Sequence, residues 1–204
     1  MRFVWTTVGL AVVVLAGAAP GQAHAQAAPD KLWVGGGIGI SPIGTVKEQA
    51  TILGVTIDQS ADTAAAVQLN GLIEYRVTPM VAIGFAPAVI LHAKPGGDGD
   101  SGSVLDLPLR VAVGAPVAPK LRLYGFASPG YSVLFPGSDR RNLGHPSGFM
   151  IGFGGGAGYH LAPKLTLTGE LGYQFRFPST TVEGQDVSMR LNYLTLAFGI
   201  VAAI

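Results

Sequence analysis

The sequence contains no cysteine and is poor in charge, with 13 Lys and Arg and 12 Asp and Glu among 204 residues. The first absence excludes a disulfide-stapled fold and thiolate metal sites. The second sets the chain apart from soluble domains, in which about 25% of residues are charged; here the figure is 12%. The two signs nearly cancel, at a formal net charge of +1, so the basic excess that marks a nucleic-acid binder is missing as well. After the first two dozen residues, no stretch reaches the roughly 18 consecutive apolar residues of a membrane-spanning helix. What is abundant points one way. Hydrophobic residues make up 49% of the chain and mean hydropathy is +0.43, which excludes intrinsic disorder. Thirty glycines and fourteen prolines disfavour a helical bundle. One domain of strands with faces suited to lipid is what remains.

The first segment stands apart from that domain. Met1-Arg2 gives a short positive start, Phe3 to Leu15 is almost wholly apolar, and Pro20 ends the run before Ala23-His24-Ala25. Charge, apolar core and small-x-small cleavage site in that order read as a secretory signal peptide, residues 1–25, removed after Ala25. An uncleaved anchor is the alternative, but the apolar run is short of the roughly 20 residues a span needs. Residues 26–204 are then the mature domain. Without Arg2 its basic and acidic groups balance at 12 each.

Along the mature chain the apolar period is two. Leu165, Leu167, Gly169, Leu171, Tyr173, Phe175 and Phe177 alternate with Thr166, Thr168, Glu170, Gly172, Gln174 and Arg176. The same holds for Val67 to Val77 against Gln68 to Arg76, for Leu105 to Val113 against Asp106 to Gly114, and for Leu194 to Ile200 against Thr195 to Val201. Strand side chains point to opposite faces in turn, so each segment is a strand with two unlike faces. Noisier Gly-rich segments near 31–42, 80–91, 120–134 and 148–161 bring the expected count to eight. Three connections share one pattern, Val77-Thr78-Pro79-Met80, Val117-Ala118-Pro119-Lys120 and Leu161-Ala162-Pro163-Lys164. Proline presets a tight turn and cannot continue a ladder. Between them lie longer stretches near 43–63, 92–103, 135–147 and 178–188, read as loops. Short turns alternating with long loops describe four hairpins in an up-and-down meander.

A soluble barrel and a membrane barrel give the same alternation with opposite faces outward. The polar face here is dense in small residues, as in Ala82, Gly84, Ala86 and Ala88, and in Gly152, Gly154, Gly156 and Gly158. A water-facing surface would be rich in Lys and Glu, whereas the lumen of eight strands has room only for packed side chains. Seven charged residues fall within the strands, Glu74, Arg76, Asp106, Arg110, Arg122, Glu170 and Arg176, all on the parity opposite the apolar one. Arg or Lys facing the bilayer midplane would cost roughly 2–4 kcal/mol. Strands in lipid must also close into a barrel, because every backbone N–H and C=O needs a partner. Trp33, Tyr75, Tyr131, Phe135, Phe149, Tyr159, Tyr173, Phe175 and Phe177 are placed as interfacial girdles.

On these residues the mature chain resembles the small eight-stranded outer-membrane barrels of Gram-negative bacteria, the OmpA/OmpX-like group. The most specific piece is the repeated turn and strand, as in Glu74-Tyr75-Arg76-Val77-Thr78-Pro79-Met80-Val81-Ala82-Ile83-Gly84. The resemblance implies an all-β, eight-stranded antiparallel up-and-down transmembrane barrel with short periplasmic turns and four longer extracellular loops. It implies residence in outer-membrane lipid as a monomer, with the barrel-assembly machinery as partner during insertion. Such families commonly end in an aromatic residue read by that machinery. This chain departs from them by ending in Ile204. The chain stops with the eighth strand, so no periplasmic peptidoglycan-binding domain is expected.

Candidate chemistry is sparse. The seven lumen charges are expected to pair, because unpaired charge in a confined space is costly; Glu74, Arg110, Arg122 and Glu170 are expected at similar depth. Such a network either plugs the lumen or forms the constriction of a narrow, porin-like channel. Gly96-Gly97-Asp98-Gly99-Asp100-Ser101-Gly102 has oxygen ligands at alternate positions but no closing acid, and reads as a solvated loop rather than a calcium site. Gly152-Phe153-Gly154-Gly155-Gly156-Ala157 lacks the following helix a dinucleotide site requires. His145 and Ser147 share a face and would suit a lipid-modifying enzyme only with an orienting third group, for which Asp139 is the nearby candidate. His92 and His160 are isolated. The expectation is a non-enzymatic barrel with a structural or surface-interaction role and no cofactor, metal or nucleic-acid partner. A small-solute channel is the alternative, followed by a lipid-acting enzyme and a soluble periplasmic lipid-binding barrel.

Overall fold

Alternating side chains of this kind are satisfied by extended backbone, since a helix would scatter the same residues around its circumference. The computed structural model describes residues 31–52, 55–63, 65–92, 102–137, 144–182 and 184–204. The expected leader, most of the Gly96–Gly102 loop and Asp139 lie outside the described residues. The strands are β1 (Leu32–Ile52), β2 (Val55–Thr63), β3 (Ala66–Arg76), β4 (Val81–Phe85), β5 (Ala88–His92), β6 (Ser103–Ala118), β7 (Leu121–Phe135), β8 (Ser147–Ala162), β9 (Leu165–Val182) and β10 (Gln185–Ala203).

These segments form a ring of eight. β2 and β3 are two parts of one strand, both pairing with β1. β4 and β5 are likewise two parts of one strand, lying between β3 and β6. Every pairing is antiparallel, and the ring closes because β1 pairs with β3 on one side and with β10 on the other, from Trp33↔Ala203 to Ala50↔Val187. The break between β4 and β5 is at Ala86-Pro87, where proline has no N–H to give. Its neighbours stay satisfied: Gly71 N donates to Pro87 O at 2.8 Å and Ala86 N to Pro108 O at 3.1 Å. In the first Pro turn, Thr78 Oγ1 accepts from Val81 N at 2.9 Å and from Met80 N at 3.2 Å, tying the chain back in a few residues.

Two of the four expected long loops are largely strand. Residues 43–52 form the upper part of β1 and 55–63 are β2, and residues 178–182 continue β9 while 185–188 begin β10 after Gly184, whose φ of 78° suits glycine. Polar residues there mark strands that rise beyond the lipid-facing band and so no longer need an apolar face. β2 stands at the end of the sheet order, with β1 as its strand partner among the described residues.

The faces are inside out relative to a soluble protein. Arg176 and Asp106 are 0% and 1% exposed, whereas Ile38 and Leu109 are 63% and 64% exposed. The alternation deduced for β3, β6, β9 and β10 holds throughout, with Gln68, Asn70, Glu74, Asp106, Arg110, Glu170 and Gln174 around interior spaces. Most of the girdle aromatics, Tyr75, Tyr131, Phe135, Phe149, Tyr159 and Phe177, are exposed on the outer wall. Trp33 is the correction: it is 5% exposed and packs with Val201 and Ala203 against Leu72. It shares the inward parity of Gly35, Gly37 and Gly39, and that parity, not its aromatic type, places it in the lumen.

Candidate functional site

The lumen is organised in tiers. In the middle, Arg110 of β6 reaches across to Glu170 of β9 with two hydrogen bonds, Nη2 to Oε1 at 2.6 Å and Nη1 to Oε2 at 3.1 Å. Tyr124 of β7 donates its hydroxyl to the same Oε1 at 2.7 Å. The Arg110 guanidinium also lies 4.1 Å from the Phe126 ring centre, a cation–π contact. The two aromatics fit because β8 presents bare glycines to them. A Cβ at Gly156 would come within 2.7 Å of Tyr124 Cζ, and one at Gly154 within 2.8 Å of Phe126 Cζ.

Toward the long-hairpin end, Arg176 of β9 grips Asp106 of β6. Nε donates to Oδ1 at 2.9 Å and Nη2 to Oδ2 at 2.5 Å. Ser132 Oγ adds a bond to Asp106 Oδ1 at 2.8 Å, Gln174 Oε1 accepts from Arg176, and the guanidinium lies 4.9 Å from the Tyr193 ring centre. Charge-assisted, bidentate bonding of this kind is what a fully desolvated pair requires. Beyond this tier the inward side chains turn apolar: Ala66, Ile90 and Val104 pack with Leu134, and Met189, Leu191 and Tyr193 with Val46 and Val187.

Toward the short turns, Arg76 lies 3.9 Å over the Trp33 ring and Arg122 donates to Met80 O at 3.1 Å. Glu74, Arg76, Arg110, Arg122 and Glu170 surround a space of about 40 Å³, so the four charges expected at one depth do come together, with Arg76 added. A second space of about 90 Å³ lies between the ion-pair tiers, bordered by Gln68, Asn70, Asp106, Arg110, Gln174 and Glu170. Tyr124, Ser132, Gln174 and Tyr193 join the site without having stood out in the sequence. Tyr124 carries the parity of Arg122, which is the signal that assigns it inward; its aromatic type, taken alone, suggests lipid.

The remaining candidates are dispersed. Ser147 Oγ is bonded to Tyr131 Oη at 2.8 Å, and His145 rests on the Phe135 ring with centroids 5.1 Å apart. His160 Nδ1 is held by Thr166 Oγ1 at 2.9 Å. Among the described residues, no group of three or more His, Asp or Glu side chains is arranged to hold a metal ion.

Family comparison agrees with a barrel of this kind. A family model described as an outer membrane protein beta-barrel domain matches residues 10–199. The chain belongs to that family. Its place is therefore the outer membrane. The fold is similar to that of the outer membrane protein OprG from Pseudomonas aeruginosa, at 13% identity and a TM-score of 0.60, over 85% of this chain and 95% of the other. It is similar to Neisserial surface protein A at 11% identity and a TM-score of 0.55, over 85% and 97% of the two chains. The outer membrane protein AlkL, whose structure was determined in lipid bilayers, matches at 14% identity and a TM-score of 0.54, over 91% and 96%. No curated protein matches the chain in sequence.

Proposed function

We propose that this protein is a non-enzymatic barrel whose lumen is closed by its own side chains and whose task is carried by the strands and loops raised above the membrane. The observation that supports this is the Asp106–Arg176 tier, fully withdrawn from solvent, with the Tyr193 ring against the guanidinium. Bidentate pairing in a low dielectric resists separation, because parting the charges leaves each desolvated and unpaired. The chain enters outer-membrane lipid as a monomer through the barrel-assembly machinery after its leader, residues 1–25, is removed.

Planar-bilayer recording of the folded barrel tests the reading, with slower gel migration after boiling as the folding control. A silent bilayer is the expected outcome. Discrete current steps from the unaltered protein would instead support the second reading, a narrow channel. That alternative is favoured by the polar spaces of about 90 and 40 Å³ on either side of Arg110–Glu170. In that case Arg110→Ala would raise the single-channel current.

A further inference from the structure

The short-turn end of the lumen carries more positive charge than the closed-barrel reading uses. Glu170 is already satisfied by two bonds from Arg110 and one from Tyr124. That leaves Glu74 as the carboxylate facing both Arg76 and Arg122 around the space of about 40 Å³. One carboxylate against two guanidinium groups leaves a positive charge uncompensated, where confinement makes it costly. The Nε of Arg122 is buried and has no hydrogen-bond partner among the described residues. Thr166, Thr168 and His160 also border the space and add polar groups suited to an oxygen ligand. The turns around this mouth place Lys31 and Lys120 next to the strand ends, which adds charge of the same sign at the entrance. A mouth of one sign with low-dielectric walls concentrates counter-ions.

We propose that this vestibule is a binding site for a small oxyanion, a carboxylate or phosphate group arriving from the periplasmic side, seated between Arg76 and Arg122. Guanidinium groups match the planar geometry of such oxyanions, and Arg122 Nε supplies a donor that the fold leaves unused. Arg76 lies 3.9 Å over the Trp33 ring, so a ligand that draws Arg76 toward itself changes the environment of the indole. Tryptophan occurs at positions 5 and 33. With Trp5→Phe in the leader, Trp33 is the single emitter whether or not the leader is retained.

The test is Trp33 fluorescence of that protein, purified from outer membranes into detergent, titrated with inorganic phosphate and separately with acetate, at constant ionic strength set with sodium chloride. A saturable change with phosphate, with acetate or with both supports the site, and which of them saturates assigns the oxyanion class. Arg122→Gln should weaken the apparent affinity by about tenfold or more, the loss of roughly 1.4 kcal/mol of charge-assisted bonding. Arg76→Lys, which keeps the charge but not the planar fork, should weaken it as well and is the check should Arg122→Gln fail to fold. A response that rises linearly and equally for chloride, acetate and phosphate overturns the proposal, and so does a saturable response that both substitutions leave unchanged. Silence in the bilayer experiment leaves this outcome untouched, since the site needs access only from the short-turn side.

Discussion

Gly156 lies so close to Tyr124 that a Cβ there would sit 2.7 Å from the ring's Cζ and 2.8 Å from its Cε2. The glycine of one strand is therefore the space occupied by the aromatic of its neighbour. Because Tyr124 holds Glu170, which holds Arg110, the missing side chain on β8 positions an ion pair between β6 and β9. Gly156→Val should displace the ring and destabilise the barrel by about 1–3 kcal/mol, the usual range for overpacking. Gly155→Ala points outward, where the nearest atom to a new Cβ is 3.4 Å away, and should be nearly neutral. Urea unfolding in lipid vesicles, followed by the heat-dependent gel shift, checks both.

Tyr124→Phe removes one of three hydrogen bonds to Glu170 and keeps the ring that fills the space beside Gly156. The expected loss is on the order of 1.5 kcal/mol, appropriate to a bond with a charged acceptor. Arg110→Met should cost more, since it strands Glu170 with the tyrosine alone. The same unfolding assay orders the two variants, and a smaller loss for Arg110→Met than for Tyr124→Phe would mean that Tyr124 and not Arg110 anchors the tier.

Alternation and inward charge were legible in the sequence because lipid enforces both: an apolar outer face leaves the charged residues a single parity. The pairing of particular charges was less so. Arg110 and Glu170 are 60 residues apart, and Asp106 and Arg176 are 70 apart. The stagger of the strands, which decides which side chains meet, is not written in any one of them. The hairpins at 43–63 and 178–188 escaped for the opposite reason. Above the membrane a strand can be polar on both faces, so it loses the two-fold pattern that identifies it and resembles a loop.

Trp33 is the residue whose chemical type misleads. It packs under Arg76 in the lumen, 5% exposed, while Tyr75 on the neighbouring strand is 44% exposed on the outer wall. In vesicles containing brominated lipids, emission from Trp33 in the Trp5→Phe background should be little quenched. Adding Tyr75→Trp to that background should introduce a strongly quenched component. If Trp33 alone were quenched as strongly, it would belong to the girdle and the β1 register would be wrong.

Arg176 and Asp106 offer the sharpest energetic contrast, because both are withdrawn from solvent and each is the other's counter-charge. Replacing Arg176 with Met leaves the carboxylate held by Ser132 but no longer neutralised, and replacing Asp106 with Leu leaves a guanidinium buried against Gln174 and the Tyr193 ring. Each single change should cost about 3–5 kcal/mol, the penalty of an uncompensated buried charge. The double variant Asp106→Leu/Arg176→Met removes both charges and substitutes apolar volume continuous with the Ile90, Val104 and Leu191 layer above. It should recover most of the stability, giving a large coupling energy in a double-mutant cycle measured by urea unfolding. Additive losses would show that the two side chains act through separate contacts, and the tier would then be packing around two independent polar groups rather than an ion pair closing the lumen.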